Sequence, residues 1–324
     1  MLRWQAAMGT LNTRLAQLHA PSTAGPALAD PVLVLGPWRS GTTAMHELLA
    51  AATGLATPRT WQCMNATTFT TLPPRRRDHA TVARPMDGLA IHAQSPQEDE
   101  FALLSLGADT AYRAFLMPHR LAELEHTLAP AHWLADEHWL TLWERFLADV
   151  LRSSPQARQP LLLKSPNHSF RLPAILRRFP DTRVVWMLRD GAAVYHSNLK
   201  MWHAMFERYG LSAPAPGALE AFLAKALQAC AEVLTGSAEA FAQGRWALVE
   251  QSRLRVDAQA VVREVCARLQ LPLAEDQAAW ASALAATAMG REDRYLATLP
   301  PHVERAVHTF DAAQAQALRR MGGG

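Results

Sequence analysis

Cysteine is scarce in this chain: Cys63, Cys230 and Cys266 are the only three among 324 residues. They are odd in number, far apart and without metal-ligand spacing. That argues against a disulfide framework or a zinc finger and fits a reducing compartment, so a cytoplasmic location is expected. Long apolar runs are missing too. No stretch reaches the roughly 18 uninterrupted apolar residues of a membrane span, so none is expected. Strong net charge is also absent, since 32 basic and 29 acidic side chains leave +3 with histidine neutral. That mild excess suits an anionic small ligand and gives no basis for nucleic-acid binding. There is no internal repeat. The opening MLRWQAAMGTLNTRLAQLHA lacks acids and an apolar core, so it does not read as a secretory signal. Its Leu2, Met8, Leu11, Leu15 and Leu18 recur near helical spacing. An amphipathic helix docking on the domain is the expectation, with a transit peptide as the alternative.

What is present is ordinary globular material, 49% hydrophobic and 19% charged. The expected organisation is an N-terminal helix and Pro/Ala/Ser/Gly linker over 1–30, a single domain over 31–321 and a glycine tail over 322–324. Val32–Leu35, Leu161–Leu163, Val184–Leu188 and Trp246–Val249 read as short buried strands. Helical patterns lie between and after them, over Thr42–Ala52, His132–Leu151, Leu172–Phe179, Gly191–Phe206, from Leu219, over Ala258–Leu269 and over Asp276–Ala286. Pro58 to Met86 reads as irregular. Ser95-Pro96-Gln97-Glu98 has the form of a capping box opening a helix that ends near Leu106. Short strands alternating with helices imply an α/β fold, a parallel sheet flanked by helices on both faces.

The most specific feature is a strand, then Gly36-Pro37-Trp38-Arg39-Ser40-Gly41-Thr42-Thr43, then a helix. Backbone N–H groups converge at such a turn and the helix dipole adds positive potential, which together make an anion site. The spacing nearly matches the nucleotide P-loop, G-x-x-x-x-G-K-[ST], but Thr42 stands where lysine belongs and the cation comes earlier, at Arg39. A kinase or ATPase would lose the lysine that reaches the terminal phosphates.

Two further strand ends carry cations. Leu161-Leu162-Leu163 leads into Lys164-Ser165-Pro166, and Val184-Val185-Trp186-Met187-Leu188 leads into Arg189-Asp190, with Ser197 about two turns into the next helix. Ligands of open α/β sheets bind at the carboxyl ends of strands, so all three blocks should face one crevice.

These blocks, in this order, resemble the sulfotransferase superfamily that uses 3′-phosphoadenosine 5′-phosphosulfate (PAPS). The resemblance is strongest to the broad bacterial group related to tyrosylprotein and heparan-type enzymes. It implies a P-loop NTPase-like fold. It also implies that Arg39, Ser40, Gly41, Thr42 and Thr43, in the cofactor-binding turn that opens at Gly36, hold the 5′-phosphosulfate, and that Arg189 and Ser197 hold the 3′-phosphate. Arg39 and Lys164 are then the catalytic cations. The family often has proline after Arg-Asp, where this chain has Gly191. The resemblance covers about the first two thirds of the chain. No Arg-Lys-Gly element follows; Arg291 and Arg294 are stand-ins for it.

Transfer to a hydroxyl, or less readily an amine, needs in-line geometry, stabilisation of the leaving phosphate and a general base. Side-chain cations can supply the second, and no metal-ligand cluster is visible, so no metal is expected. Cytosolic relatives place the basic histidine two residues after the lysine, where this chain has Pro166. The candidates are therefore Glu98, Glu100 and His168, with Glu98 also suited to closing the capping box. Trp38 suits adenine stacking or the acceptor pocket, while His46, Trp139 and Trp143 read as core residues. Arg75-Arg76-Arg77 with Arg84 reads as a solvated loop, or as a lure for an anionic acceptor. The acceptor is a small molecule, peptide or glycan. The rival functions are a kinase-like nucleotide phosphotransferase and a non-catalytic module binding PAPS or its desulfated product.

Overall fold

A computed structural model describes residues 27–71, 81–83, 90–154, 160–237, 241, 244–274, 277–286 and 298–322. The expected N-terminal helix, Arg75–Arg77, Arg84, Arg291 and Arg294 lie outside the described residues.

Four short strands form the central sheet: β1 (Val32–Leu35), β4 (Leu162–Lys164), β5 (Arg183–Leu188) and β6 (Trp246–Glu250). Their order is β4-β1-β5-β6, and every pairing is parallel. A two-stranded hairpin of β2 (Val82–Ala83) and β3 (Ala90–Ile91) stands apart from it. The central strands are continuous apolar runs because both faces are covered. Val32, Val34, Leu162, Val185 and Met187 pack on one side with α1 (Thr42–Thr53) and α10 (Ala258–Arg268). Leu33, Leu35, Leu163, Val184, Trp186 and Leu188 pack on the other with α6 (His168–Arg178), α7 (Gly191–Tyr209) and α8 (Ala218–Gly236). The α/β fold with helices on both faces is therefore present.

Further helices complete the layers: α2 (Thr60–Met64), α3 (Glu100–Leu106), α4 (Pro130–Ala135), α5 (Glu137–Arg152), α9 (Gln251–Val256), α11 (Gln277–Ala286) and α12 (Pro301–Gly322). The single helix predicted over His132–Leu151 is two, α4 and α5, parted at Asp136, whose extended backbone (φ −92°, ψ 102°) and side chain cap α5 by accepting from His138 N. The predicted irregular stretch contains α2. Helix α6 begins at His168 and carries Pro173 in its interior. The 22-residue α12, not predicted as a distinct element, packs along α8 and runs to Gly322, the first residue of the glycine tail.

The capping box does not form. Pro96 instead forms an antiparallel bridge with Arg59, with Gln97 N donating to Pro58 O (2.9 Å) and Ser95 O accepting from Thr60 N (3.0 Å). Ser95 Oγ is taken by His92 N, and α3 starts at Glu100 with Asp99 at its N-cap. Pairing with the chain before α2 outweighs the local cap. Glu98 therefore sits ahead of the helix instead of three residues into it.

Candidate active site

Sheet order decides what meets at the site. Strand β1 lies between β4 and β5, with β4 added on one side of it and β5 and β6 on the other, so the turn after β1 opens at the switch point where crevices form. Lys164 ends β4 in register with Val34, and Arg189 follows the last residue of β5 on the other side.

The turn is built around missing side chains. At Gly36 (φ 134°) a Cβ would fall 2.8 Å from Met187 O and from Ser40 Oγ. At Gly41 (φ 96°) it would fall 3.0 Å from Gln251 Cγ. Both positions need glycine conformationally and for space. Arg39 is left-handed as well (φ 70°), a conformation that costs an arginine about 1–3 kcal/mol and concentrates at functional loops. Helix α1 opens at Gly41, which has no side chain to cap the first N–H groups, so they face the turn with the positive end of the helix dipole.

Neighbouring elements clamp the turn. Ser169 of α6 accepts from Gly36 N (3.0 Å) and donates to Gly36 O (3.1 Å). On α7, Ser197 Oγ accepts from Arg39 Nε (3.2 Å), and Asn198 Nδ2 donates to Trp38 O (2.8 Å). Arg189 donates to Arg39 O (2.6 Å). Helix α12 in turn holds Arg189: Gln314 accepts from its N (3.1 Å) and donates to its O (3.0 Å).

On the β4 side, Lys164 is 2% exposed and donates to Thr43 Oγ1 (3.3 Å) and to Glu98 Oε1 (2.5 Å). The other Glu98 oxygen accepts from Tyr112 OH (2.7 Å). Burial, with the Glu98 carboxylate adding to it, pushes the Tyr112 phenol well above its ordinary value, so it stays a hydrogen-bond donor. One carboxylate, one ammonium and one phenol thus converge beside the anion turn.

Residues 31–276 match the family model described as "Sulfotransferase family". The chain belongs to that family. Over 192 residues it is 30% identical to the omega-hydroxy-beta-dihydromenaquinone-9 sulfotransferase Stf3 of Mycobacterium bovis, and equally to that of Mycobacterium tuberculosis. The aligned part is 58% of this chain and 49% of the relative, so the chain spans about half the length of the curated relatives it matches. The crystal structure of sulfotransferase STF9 from Mycobacterium avium is similar at a TM-score of 0.68 and 21% identity, over 90% of this chain and 77% of the other. That of STF1 from Mycobacterium tuberculosis H37Rv follows at 0.57 and 16%, over 97% and 82%. At these identities the two structures bear on the fold.

Within this site the three base candidates occupy different surroundings. Glu98 faces the turn through Lys164. Glu100 is fully buried and paired with Arg171 through both oxygens (2.5 and 3.0 Å), with Ser165 Oγ donating as well (3.2 Å). His168 is also fully buried, its Nε2 on Asp99 Oδ2 (2.9 Å), where Trp143 Nε1 donates too (2.6 Å). Burial alone would push the Asp99 carboxyl up, but His168, Trp143 and Arg171 outweigh it and hold it below the usual range. Arg171, missed in the sequence, is sandwiched near the faces of Trp133 (4.3 Å) and Trp139 (5.1 Å). These groups form an internal brace under the site.

Trp38 turns inward. It is 2% exposed and packs among Phe170, Trp202 and Phe222. What it offers the turn is backbone. His46 is buried against Thr57 (2.7 Å), and burial, with the Lys164 charge adding, lowers its pKa to about 3. Gly191 now has a physical account. Its N–H donates to Asp311 (2.9 Å), which a proline could not do, and a Cβ there would sit 3.0 Å from Asp311 Oδ1. Tyr112, Ser169, Asn198, Gln251, Asp311 and Gln314 were not legible in the sequence. Each acts through a contact distant along the chain, and none sits in a motif.

Proposed function

We propose that this chain transfers a sulfuryl group from PAPS to a hydroxyl of an apolar small molecule, with Glu98 as the general base. The observation that carries the assignment is the Glu98 carboxylate held between Lys164 and Tyr112, next to Thr43 of the anion turn. The donor set fits a doubly phosphorylated nucleotide: two glycine positions whose Cβ space is closed, the N–H groups opening α1, Arg39, Lys164, Arg189, and the hydroxyls of Thr42, Thr43 and Ser197.

In this reading Arg39 and Lys164, with the N–H groups, stabilise the charge that grows on the leaving phosphate. Arg189 and Ser197 bind the 3′-phosphate, arginine suiting it through its planar fork. Glu98 takes the acceptor proton, a role worth typically 10²–10⁴-fold. Glu100 and His168 serve as the brace that places Glu98, since both carboxylate oxygens of Glu100 are engaged internally. A small apolar acceptor is favoured by the aromatic surroundings of Tyr112, Phe115 at 4.7 Å and Phe101 at 5.6 Å, and by the omega-hydroxy-beta-dihydromenaquinone-9 for which the mycobacterial relative is named.

The test is turnover with labelled PAPS against a panel of hydroxylated isoprenoid, steroid and phenolic acceptors, alongside matched peptides and glycans. Label should pass to an apolar alcohol or phenol. Binding of the nucleotide with no transfer to any acceptor class would favour the non-catalytic module.

A further inference from the structure

Sequence spacing shows no metal-ligand cluster, but the fold brings one together away from the anion turn. Asp109, in the loop after α3, His126, near the end of the 3₁₀ segment Pro118–Leu128, and His132 of α4 place one ligand atom each within 4.8 Å of one another. We propose that these three side chains bind a transition-metal dication of the zinc class, independently of the transfer reaction.

The argument starts from the hydrogen bonds of His126. Its Nδ1 lies 2.7 Å from Glu123 O, and a carbonyl only accepts, so the ring proton is on Nδ1. That leaves the Nε2 lone pair facing Asp109 Oδ2, with which it is in direct contact. Two lone pairs cannot share that contact without a cation between them, a second proton or a metal. His132 Nε2 approaches the same Oδ2 at 3.8 Å, is buried and has no hydrogen-bond partner. One proton can satisfy only one of the two rings. One metal ion satisfies both nitrogens and the carboxylate oxygen together.

The outer contacts match those that orient metal ligands. A ligating histidine usually donates its other N–H to a carbonyl or carboxylate, as His126 does to Glu123. The second Asp109 oxygen is held by Thr110 N (3.1 Å) and Arg113 (3.2 Å), which fixes the carboxylate with Oδ2 toward the rings. Tetrahedral bonds of about 2.0–2.2 Å place ligand atoms roughly 3.4 Å apart, so rotations of the rings suffice to close the shell. Two imidazoles and a carboxylate suit zinc, cobalt, nickel or copper, whereas magnesium and calcium favour oxygen sets. The part-exposed rings leave a fourth position for water.

The site's consequence is mechanical. Asp109 O accepts from Arg171 (2.9 Å), so a metal here would tie the loop, the 3₁₀ segment and α4 to the brace beneath Glu98.

The experiment uses tag-free full-length protein, stripped with chelator and titrated with Co²⁺ by visible absorption, then displaced by Zn²⁺. The expected result is one saturable equivalent with the spectrum of a low-coordinate N/O site, and a rise in Tm with Zn²⁺. His126→Gln and His132→Gln should each weaken binding by at least the roughly 10–100-fold that even outer contacts command. His119→Gln, on a separate histidine bonded to Ser212, should leave it unchanged. Both tested rings are part-exposed, so the variants should fold, which circular dichroism checks. Absence of a saturable equivalent, or equal affinity in all three variants, overturns the proposal.

Discussion

Glu98 Oε1 accepts a hydrogen bond from Lys164 Nζ across 66 residues of sequence, joining the segment ahead of α3 to the end of β4. This pair brings a proton acceptor next to the anion turn, and the first prediction concerns it. Glu98→Gln preserves volume and an oxygen for Lys164 but removes the carboxylate proposed as the base. Its kcat should fall by about 10²–10⁴-fold with nucleotide affinity nearly unchanged. Single-turnover transfer and calorimetry check the two halves. Wild-type transfer rates in the variant would remove Glu98 from the role.

Arg171 pairs with Glu100 where both are fully buried. Arg171→Met leaves that carboxylate uncompensated, so stability should drop by about 3–5 kcal/mol in urea unfolding. Replacing both members, Arg171→Met with Glu100→Gln, should recover part of the loss.

Gly191→Pro would restore the residue the family often has here. It should nevertheless destabilise this chain by about 1–3 kcal/mol, since the N–H to Asp311 is lost and Asp311 is crowded. In an Asp311→Ala background the same substitution should cost far less, proline being favourable at the first position of a helix. A double-mutant cycle by thermal unfolding measures the difference. Equal costs in both backgrounds would show that Asp311 is not the reason for glycine.

Burial holds His46 neutral, with a pKa lowered from 6.5 to about 3. Because the folded value lies below the unfolded one, its contribution is complete above pH 6.5 and is lost as pH falls toward 3. The loss is on the order of 5 kcal/mol at the bottom of that window. The stability of wild type relative to His46→Gln should therefore fall across this range, the carboxylates being common to both. A difference that stays flat with pH would contradict it.

The legible and hidden parts of this site divide along one physical line. The strands and their terminal cations were readable because buried parallel strands are short apolar runs and a turn at their end needs glycine or proline. Gly36, Arg39, Lys164 and Arg189 thus stand together in the fold as their strand-end positions imply. Glu98 was ambiguous because the local pattern Ser95-Pro96-Gln97-Glu98 suits a capping box, and only pairing with the chain before α2 overrides it. Tyr112 lies on a 3₁₀ turn with no periodic signature, and Arg171 looks like a surface residue on an amphipathic helix until Glu100 is placed against it. The metal-ligand trio escaped for the same reason: Asp109 is 17 residues from His126, and a turn of chain closes the gap.

The most direct measurement is a calorimetric titration with 3′-phosphoadenosine 5′-phosphate, ATP and adenosine 5′-phosphate, on wild type and on Arg189→Ala. Tight binding of the 3′-phosphorylated nucleotide alone, lost in the variant while the fold persists, is the predicted result. Preference for ATP, or indifference to the 3′-phosphate, would contradict the PAPS-dependent reading and favour a kinase-like one.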